Sequence, residues 1–417
     1  MDRIIINGGN RLKGVINVSG AKNAVLPILG ASLLCPGINV IYDVPSLKDV
    51  EVMSSLLEYL GASVSRNGKI ITVDTSNVEA RDVSEELMRR MRASNLVLGP
   101  LLGRFGKVRI SQPGGCNIGS RPMDLHLKGI RALGASIKEQ WGYITAEAGR
   151  LVGSEIHLDV PSVGATENII MAAVLAKGET IIYNAAREPE IVDLQTFLNK
   201  AGACIKGAGT SVIRIKGVGS LHPCKHRVIP DRIEAGTHMV AAAITNGDIT
   251  IQNVITEHIE PMVAKLREAG IDVEMENNTV HVRATGKRYA IDIRTMPYPG
   301  FPTDMQPQMT ALLSVTPGTS LITENIFENR FKHVPELHRM GADIKVESRT
   351  AVVCGVKKLS GATVRATDLR AGAALVLAGL AAEGTTVIEC PEHIDRGYEN
   401  LEEKYRQLGA DIYRERV

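Results

Sequence analysis

Leu56 to Val64 reads LLEYLGASV, and the same phrase returns five times along the chain: IRALGASIK from Ile130, FLNKAGACI from Phe197, KLREAGIDV from Lys265, ELHRMGADI from Glu336 and KYRQLGADI from Lys404. Each copy is an amphipathic helix end, a glycine stop and the start of a β-rich run. A glycine there is best read as a residue just past a helix, taking a left-handed conformation that a Cβ would penalise. The six glycines, Gly61, Gly134, Gly202, Gly270, Gly341 and Gly409, are spaced 73, 68, 68, 71 and 68 residues apart, close to one sixth of the 417-residue chain. The whole sequence is therefore six copies of one unit.

A second landmark recurs with the first. An Ala/Leu-rich helix, a turn glycine and a strand-like run appear as LLCPGINVI, LGRFGKVRI, LAKGETIIY, ITNGDITIQ, VTPGTSLIT and LAAEGTTVI, with Gly37, Gly106, Gly178, Gly247, Gly318 and Gly384 at the turn. Each unit reads strand, helix, strand, helix and then a hairpin such as SVSRNGKIITVD, where Asn67-Gly68 is a strong turn signal. Three units make a domain of about 200 residues, and the polar, Pro-containing stretch GVGSLHPCK at 217–225 is the natural break between two similar α/β domains.

Composition narrows the function classes. Hydrophobic residues at 44% and charged residues at 23% exclude a disordered or collagen-like chain. Aromatics at 4%, with Trp141 the single tryptophan, argue against a base-stacking nucleic-acid binder. Forty-eight basic against 46 acidic residues leave +2, so no global field recruits a polyanion or an acidic membrane surface. No run approaches the ~18 apolar residues of a membrane span, and the N-terminus lacks a signal-peptide core. Cys35, Cys116, Cys204, Cys224, Cys354 and Cys390 are scattered without metal-ligand spacing. Reduced thiols and a cytoplasmic location are expected.

Fourteen or fifteen residues before each turn glycine of the second landmark lies a helix start, occupied by Lys22, Arg92, Gly164, Arg232, Asp304 and Arg370. Four of the six are cations. A helix N-terminus already carries unpaired N–H groups and partial positive charge, so a cation there is unfavourable unless an anion sits nearby. Twelve residues after the last two turn glycines come Arg330 and Arg396, of the type suited to bidentate recognition of carboxylate or phosphate. Any one arginine could be a solvated surface charge; the matched set points to a small, densely charged anion. No Walker A loop is present to hold it, and GAGTSV at 207–212 is too poor a pattern for a dinucleotide.

The second unit inserts QPGGCNIGSRPMDLH, a loop with Gly114, Gly115 and Gly119 around Cys116. A thiol beside Arg121 has a stabilised thiolate and can act as acid or nucleophile, whereas the other cysteines read as inert. Asp304, the one acidic member of the helix-start set, suits a general base for a hydroxyl, with a plain helix cap as the alternative. His126 beside the loop reads as structural or loop-anchoring.

These stretches, together with SGAKNAVLP, MRAS, SVGATEN, AAREPEI, VIPDRIEAGT, GFPTDMQPQ, NIFENRF, DLRAGAALVLAGLA and DRGYENL, make the chain resemble the UDP-N-acetylglucosamine 1-carboxyvinyltransferase family along its full length. The resemblance implies a two-domain inside-out α/β barrel of six βαβαββ repeats, the enolpyruvyl transferase fold. It implies domains of 22–229 and of 1–21 plus 230–417, with an active site in the cleft between them. The implied reaction moves the enolpyruvyl group of phosphoenolpyruvate to the 3′-hydroxyl of UDP-N-acetylglucosamine (UDP-GlcNAc), releasing phosphate by addition and elimination. That is the first committed step of peptidoglycan and hence cell-wall synthesis, and in the family it needs no metal or organic cofactor.

By motif, the resemblance assigns Lys22, Asn23, Arg121, Arg330, Arg370 and Arg396 to phosphoenolpyruvate. It assigns Arg92, Arg121, Pro122, Met123, Asp124, Leu125, Ser162, Val163, Gly164, Asp304 and Ile326 to UDP-GlcNAc. Cys116 matches the acid that protonates the methylene carbon and the target of fosfomycin, and Asp304 the base; Lys22 and Arg396 complete the catalytic set. Val160 stands where some members carry a lysine that helps hold the nucleotide. Two rivals remain at this level: the shikimate-3-phosphate enolpyruvyl transferase, whose acceptor motifs do not match, and a catalytically silent paralogue that binds UDP-GlcNAc.

Overall fold

The computed structural model describes residues 2–83, 85–112 and 123–416, the side chains of Leu87, Arg89, Arg90 and Arg92 excepted. In chain order it begins with β1 (Arg3–Asn7), β2 (Lys13–Asn17), α1 (Lys22–Ser32), β3 (Ile38–Tyr42), α2 (Lys48–Tyr59), β4 (Ser63–Asn67) and β5 (Ile70–Asp74). There follow α3 (Glu85–Arg90), a 3-10 turn (Arg92–Val97), α4 (Leu98–Phe105), β6 (Lys107–Ser111), α5 (Asp124–Ala132), β7 (Ser136–Gln140) and β8 (Tyr143–Glu147). The third repeat comprises β9 (Glu155–His157), α6 (Val163–Ala173), β10 (Glu179–Tyr183), α7 (Pro189–Lys200), β11 (Cys204–Lys206) and β12 (Val212–Lys216). The fourth has β13 (Lys225–Arg227), α8 (Arg232–Ile244), β14 (Asp248–Gln252), α9 (Glu260–Glu268), β15 (Asp272–Glu276) and β16 (Thr279–Arg283). Next come β17 (Ile293–Arg294), a 3-10 turn (Thr303–Met305), α10 (Gln306–Leu313), β18 (Thr319–Thr323), α11 (Val334–Arg339), β19 (Asp343–Glu347) and β20 (Thr350–Cys354). The chain ends with β21 (Thr363–Arg365), α12 (Leu369–Ala381), β22 (Thr385–Glu389), a 3-10 turn (Pro391–His393), α13 (Leu401–Gln407) and β23 (Asp411–Glu415).

Two compact units result. One runs from Gly20 to Ile229; the other joins the residues up to Ser19 to those from Pro230 onward. Each unit has its own hydrophobic core. The six sheets share one plan. A leading strand lies parallel to the strand that follows the first helix, and a hairpin then adds two antiparallel strands, as in β9, β10, β12 and β11.

Three exceptions show how the chain is tied together. In the second repeat the leading strand shrinks, among the described residues, to the single parallel bridge of Val83 with Ile110. The leading strands of the first and fourth repeats are exchanged, so β2 pairs with β14 and β13 with β3. The last repeat takes its fourth strand from the N-terminus, with β1 antiparallel to both β22 and β23.

Helices of two kinds follow from the sequence. The second helix of each repeat is amphipathic: α2 buries Val50, Met53, Leu56 and Leu57, and α7 buries Ile191, Leu194, Phe197 and Leu198, at the spacing of one helical face. All six stop glycines after these helices have φ between 84° and 101°, the left-handed region where a Cβ is penalised. The first helix of each repeat has little or no solvent face. Every residue of α10 is buried, as are Ala24 to Ser32 of α1 and Arg370 to Leu380 of α12. In the unit containing the termini, α8, α10 and α12 pack on one another. Each fully buried Leu or Ile on such helices contributes about 1.5–3 kcal/mol. Gly247 departs from its repeat mates: the left-handed residue at that turn is Asn246, with φ 51°.

The chain crosses between the units next to Ser19 and Pro230, and both crossings are tied down. The Asp231 amide donates to the Ser19 carbonyl at 2.9 Å, and the Ser19 amide to Glu234 Oε2 at 3.0 Å. Lys404 Nζ reaches Glu234 and also Ser19 Oγ at 2.8 Å. Burial opposes the Glu234 charge, but Lys404 and His238 outweigh it and lower its pKa from an ordinary 4.5 to about 2. A carboxyl with a depressed folded pKa stabilises the fold above its unfolded value and loses that contribution as pH falls toward the folded value. Unfolding free energy should therefore drop between pH 4.5 and 2, and Glu234→Gln should flatten that drop; urea titrations at pH 5 and pH 3 measure both.

Candidate functional site

Lys22 is the first residue of α1, a helix whose preceding residue Ala21 provides no side-chain cap. Its ammonium pairs with Asp49 at 2.8 Å, and Asp49 is almost fully buried in the first turn of α2. Burying this pair holds the amine at the helix start and leaves less of its side-chain freedom to be lost on meeting a ligand. Asn23 follows it, partly exposed.

In the same unit Met123, Asp124 and Leu125 lie at the start of α5, and Ser162, Val163 and Gly164 at the start of α6. The Ser162 hydroxyl caps α6 by accepting from the Ala165 amide at 3.4 Å. His126 brings these starts together. Its ring sits where a Cβ on Gly164 would come within 3.1 Å, and its Nδ1 meets the Asn168 side chain at 3.0 Å. Of the two roles read from the sequence this is the structural one, between two helices; the loop lies outside the described residues. Val160 is exposed just before α6. Arg92 opens the 3-10 turn ahead of α4, and its side chain is not described. Cys116, Arg121 and Pro122 lie outside the described residues.

The other unit gathers two of the expected arginines around the carboxylate of a third expected residue. Asp304, in the 3-10 turn before α10, receives Arg330 Nη2 on Oδ1 at 2.7 Å and Arg370 Nη2 on Oδ2 at 2.9 Å. Both arginines are buried to within 4% exposure, while Asp304 stays about one quarter exposed. The Nε atoms of both guanidiniums have no hydrogen-bond partner. Two buried guanidiniums converging on one carboxylate concentrate positive charge of the type that suits recognition of an oxyanion. Arg396 follows the last 3-10 turn, partly exposed, and Ile326 lies in the loop after β18.

Arg370 is aimed by a residue that sequence reading did not single out. Its Nη1 donates to the Tyr398 hydroxyl at 3.2 Å, and the guanidinium stands 5.5 Å from the centre of the Tyr398 ring. Thr237 Oγ1 donates its proton to the Ile233 carbonyl at 2.8 Å, so at its 2.9 Å contact with Tyr398 it must accept. The tyrosine proton is thereby committed, and its lone pairs face Arg370. Burial works against the Arg370 charge, but Asp304, Tyr398 and Asp231 outweigh it and hold its pKa above the ordinary range. The only sequence signals for these two helpers were an Asp in the first turn of α2 for Asp49 and an aromatic inside DRGYENL for Tyr398.

Unit Gly20 to Ile229 also buries Glu167 and Glu190, with Glu188 half-buried beside them. Burial, then Glu190, then Glu188 push the Glu167 carboxyl well above its ordinary range. Five cysteines among the described residues are free thiols, and no three His, Cys, Asp or Glu side chains among them stand where they could hold a metal ion. No helix of the described residues is long and apolar enough to cross a membrane.

Comparison with known proteins fixes the family. A family model described as EPSP synthase (3-phosphoshikimate 1-carboxyvinyltransferase) matches residues 6–405. UDP-N-acetylglucosamine 1-carboxyvinyltransferase 1 of Carboxydothermus hydrogenoformans is 57% identical over 414 residues, 99% of this chain and 98% of that protein. The chain belongs to the UDP-N-acetylglucosamine 1-carboxyvinyltransferase family. Another member, from Geobacter metallireducens, is 56% identical over 99% of both chains. Among solved structures, the enolpyruvyl transferase NikO from Streptomyces tendae matches with a TM-score of 0.90 at 27% identity, covering 100% of this chain and 99% of that one. EPSP synthase from Acinetobacter baumannii shares the fold, with a TM-score of 0.76 at 18% identity over the full length of both chains. The six βαβαββ repeats are thus the enolpyruvyl transferase fold, as the 1-carboxyvinyltransferase family members should have.

Tyr398→Phe keeps the ring under Arg370 and removes only the acceptor. Leaving the buried Nη1 unpaired should destabilise the protein by about 1–3 kcal/mol, seen as a lowered unfolding midpoint in chemical denaturation.

Proposed function

We propose that this protein transfers the enolpyruvyl group of phosphoenolpyruvate to the 3′-hydroxyl of UDP-GlcNAc, the committing step of peptidoglycan synthesis, in the cytoplasm. The observation that carries the reading is the pair of buried arginines, Arg330 and Arg370, sharing Asp304 in a chain 57% identical to a UDP-N-acetylglucosamine 1-carboxyvinyltransferase.

The chemistry then follows from the residues. Lys22, Asn23, Arg121, Arg330, Arg370 and Arg396 hold phosphoenolpyruvate through its phosphate and carboxylate. Cys116 delivers a proton to the methylene carbon, which leaves the neighbouring carbon cation-like; the sugar hydroxyl oxygen bonds to that carbon while Asp304 takes the hydroxyl proton. The product of this addition is a tetrahedral ketal. Elimination breaks the carbon–oxygen bond to the departing phosphate and returns a proton from the new methyl group to the Cys116 thiolate, restoring the double bond. Cations that tighten on the departing phosphate stabilise the transition state more than the ground state.

Asp304 is paired with two arginines. An arriving phosphate gives those arginines a second anion, and the Asp304 oxygen turned loose is then available to the hydroxyl. Arg92, Arg121, Pro122, Met123, Asp124, Leu125, Ser162, Val163, Gly164 and Ile326 hold the nucleotide sugar, and Val160 leaves one diphosphate contact of some relatives without its lysine.

Phosphate release from phosphoenolpyruvate with UDP-GlcNAc or with shikimate 3-phosphate as acceptor tests the reading. Release with UDP-GlcNAc alone is expected; release with shikimate 3-phosphate would make this the sister enzyme, and release with neither would make it a silent binder. Asp304→Ala should retain UDP-GlcNAc binding by calorimetry while its turnover falls about 10²-fold or more. Fosfomycin with UDP-GlcNAc should add one drug mass to the intact protein but not to Cys116→Ala, and an adduct surviving that substitution would remove Cys116 as its target.

A further inference from the structure

Asp304 and Ile326 lie on separate segments, the 3-10 turn before α10 and the loop after β18. One side chain joins them. Glu324 is fully buried, and its carboxylate is ringed by four donors. Its Oε1 accepts from Thr295 Oγ1 at 2.8 Å, from the Ile326 amide at 2.8 Å and from the Phe327 amide at 3.2 Å. Its Oε2 accepts from Thr303 Oγ1 at 2.8 Å.

The direction of these bonds is fixed. The two amides can only donate, and Thr295 Oγ1 accepts from the Asn325 amide at 2.9 Å, so its single proton goes to Glu324. Oε1 takes three donors and Oε2 one, and they come from three segments: the residue after β17, the turn carrying Asp304 and the loop carrying Ile326. A charged group at zero exposure costs heavily unless it is fully bonded, which makes it an expensive way merely to close a loop. Thr303 directly precedes Asp304, while Ile326 is bonded through its own amide.

We propose that Glu324 is a positioning residue that locks the base-bearing turn and the sugar-facing loop into one geometry, so that Asp304 and Ile326 meet the acceptor hydroxyl and its sugar in register. This rests on the transferase reading above. It separates two arms: the Thr303 arm governs the base, and the amide arm governs the hold on UDP-GlcNAc.

Steady-state kinetics of three variants test it. Thr303→Val removes one donor at nearly constant volume and should lower kcat about tenfold to a hundredfold, with KM for UDP-GlcNAc unchanged. Thr303→Ser should restore kcat. Glu324→Gln places an NH2 group against donors and should lower kcat and raise KM for UDP-GlcNAc together, with KM for phosphoenolpyruvate unchanged. A wild-type kcat in Thr303→Val, no rescue by Thr303→Ser, or equal decline of every parameter in step with a falling melting temperature would overturn the proposal. Should Glu324→Gln fail to fold, the Thr303 pair decides alone. Wild type run alongside separates the failures: active wild type with an unresponsive Thr303→Val sinks this proposal only, and wild type releasing no phosphate sinks the transferase reading with it.

Discussion

Helices with almost no solvent face set the terms for everything else in this protein. α10 is buried along its whole length, and α1, α6, α8 and α12 are buried after their first one or two residues. The backbone of such a helix offers polarity only at its ends, where its groups lack partners. The ends are where this chain puts its charge. Ser162, Asp231 and Asp368 cap α6, α8 and α12 in the ordinary way, with side-chain oxygens accepting from backbone amides. Lys22 and Arg370 sit beside such starts as cations held by buried or half-buried carboxylates. A buried charge is tolerated only when it is paired, so each cation brings its own anion with it.

Pairing of this kind has a chemical corollary. Two buried guanidiniums that share one carboxylate concentrate positive charge around it, and this is the feature on which the proposed binding of phosphoenolpyruvate rests. Tyr398 contributes by fixing which edge of Arg370 faces Asp304, because its own proton is already committed to Thr237.

The sixfold plan was legible because it is written locally. Stop glycines at φ near 90° and one-sided apolar spacing are properties of a few consecutive residues, and all six copies carry them. Cations at matched helix starts were legible for a different reason: they are locally unfavourable, and a repeated local cost points to a nonlocal cause. What stayed hidden is long-range. The exchange of β2 and β13, the pairing of β1 with β22 and β23, and the bonds from Arg330 and Arg370 to Asp304 join residues that no period relates; the resemblance placed residues 1–21 with the later unit and these side chains in one site, but not these pairings. Asp49 and Glu324 were hidden too, since each looks like an ordinary acidic residue until its partners arrive from elsewhere in the fold.

The place of β1 bears on how the chain is made. The unit from Gly20 to Ile229 draws on no residue outside that span for its sheets, so a ribosome has delivered all of it before α8 emerges. The other unit closes late. β1 leaves the ribosome before both its neighbours, at 385–389 and 411–415. Until those strands are made it has two unpaired edges and an apolar RIIIN face, a nascent segment that a holding chaperone would recognise.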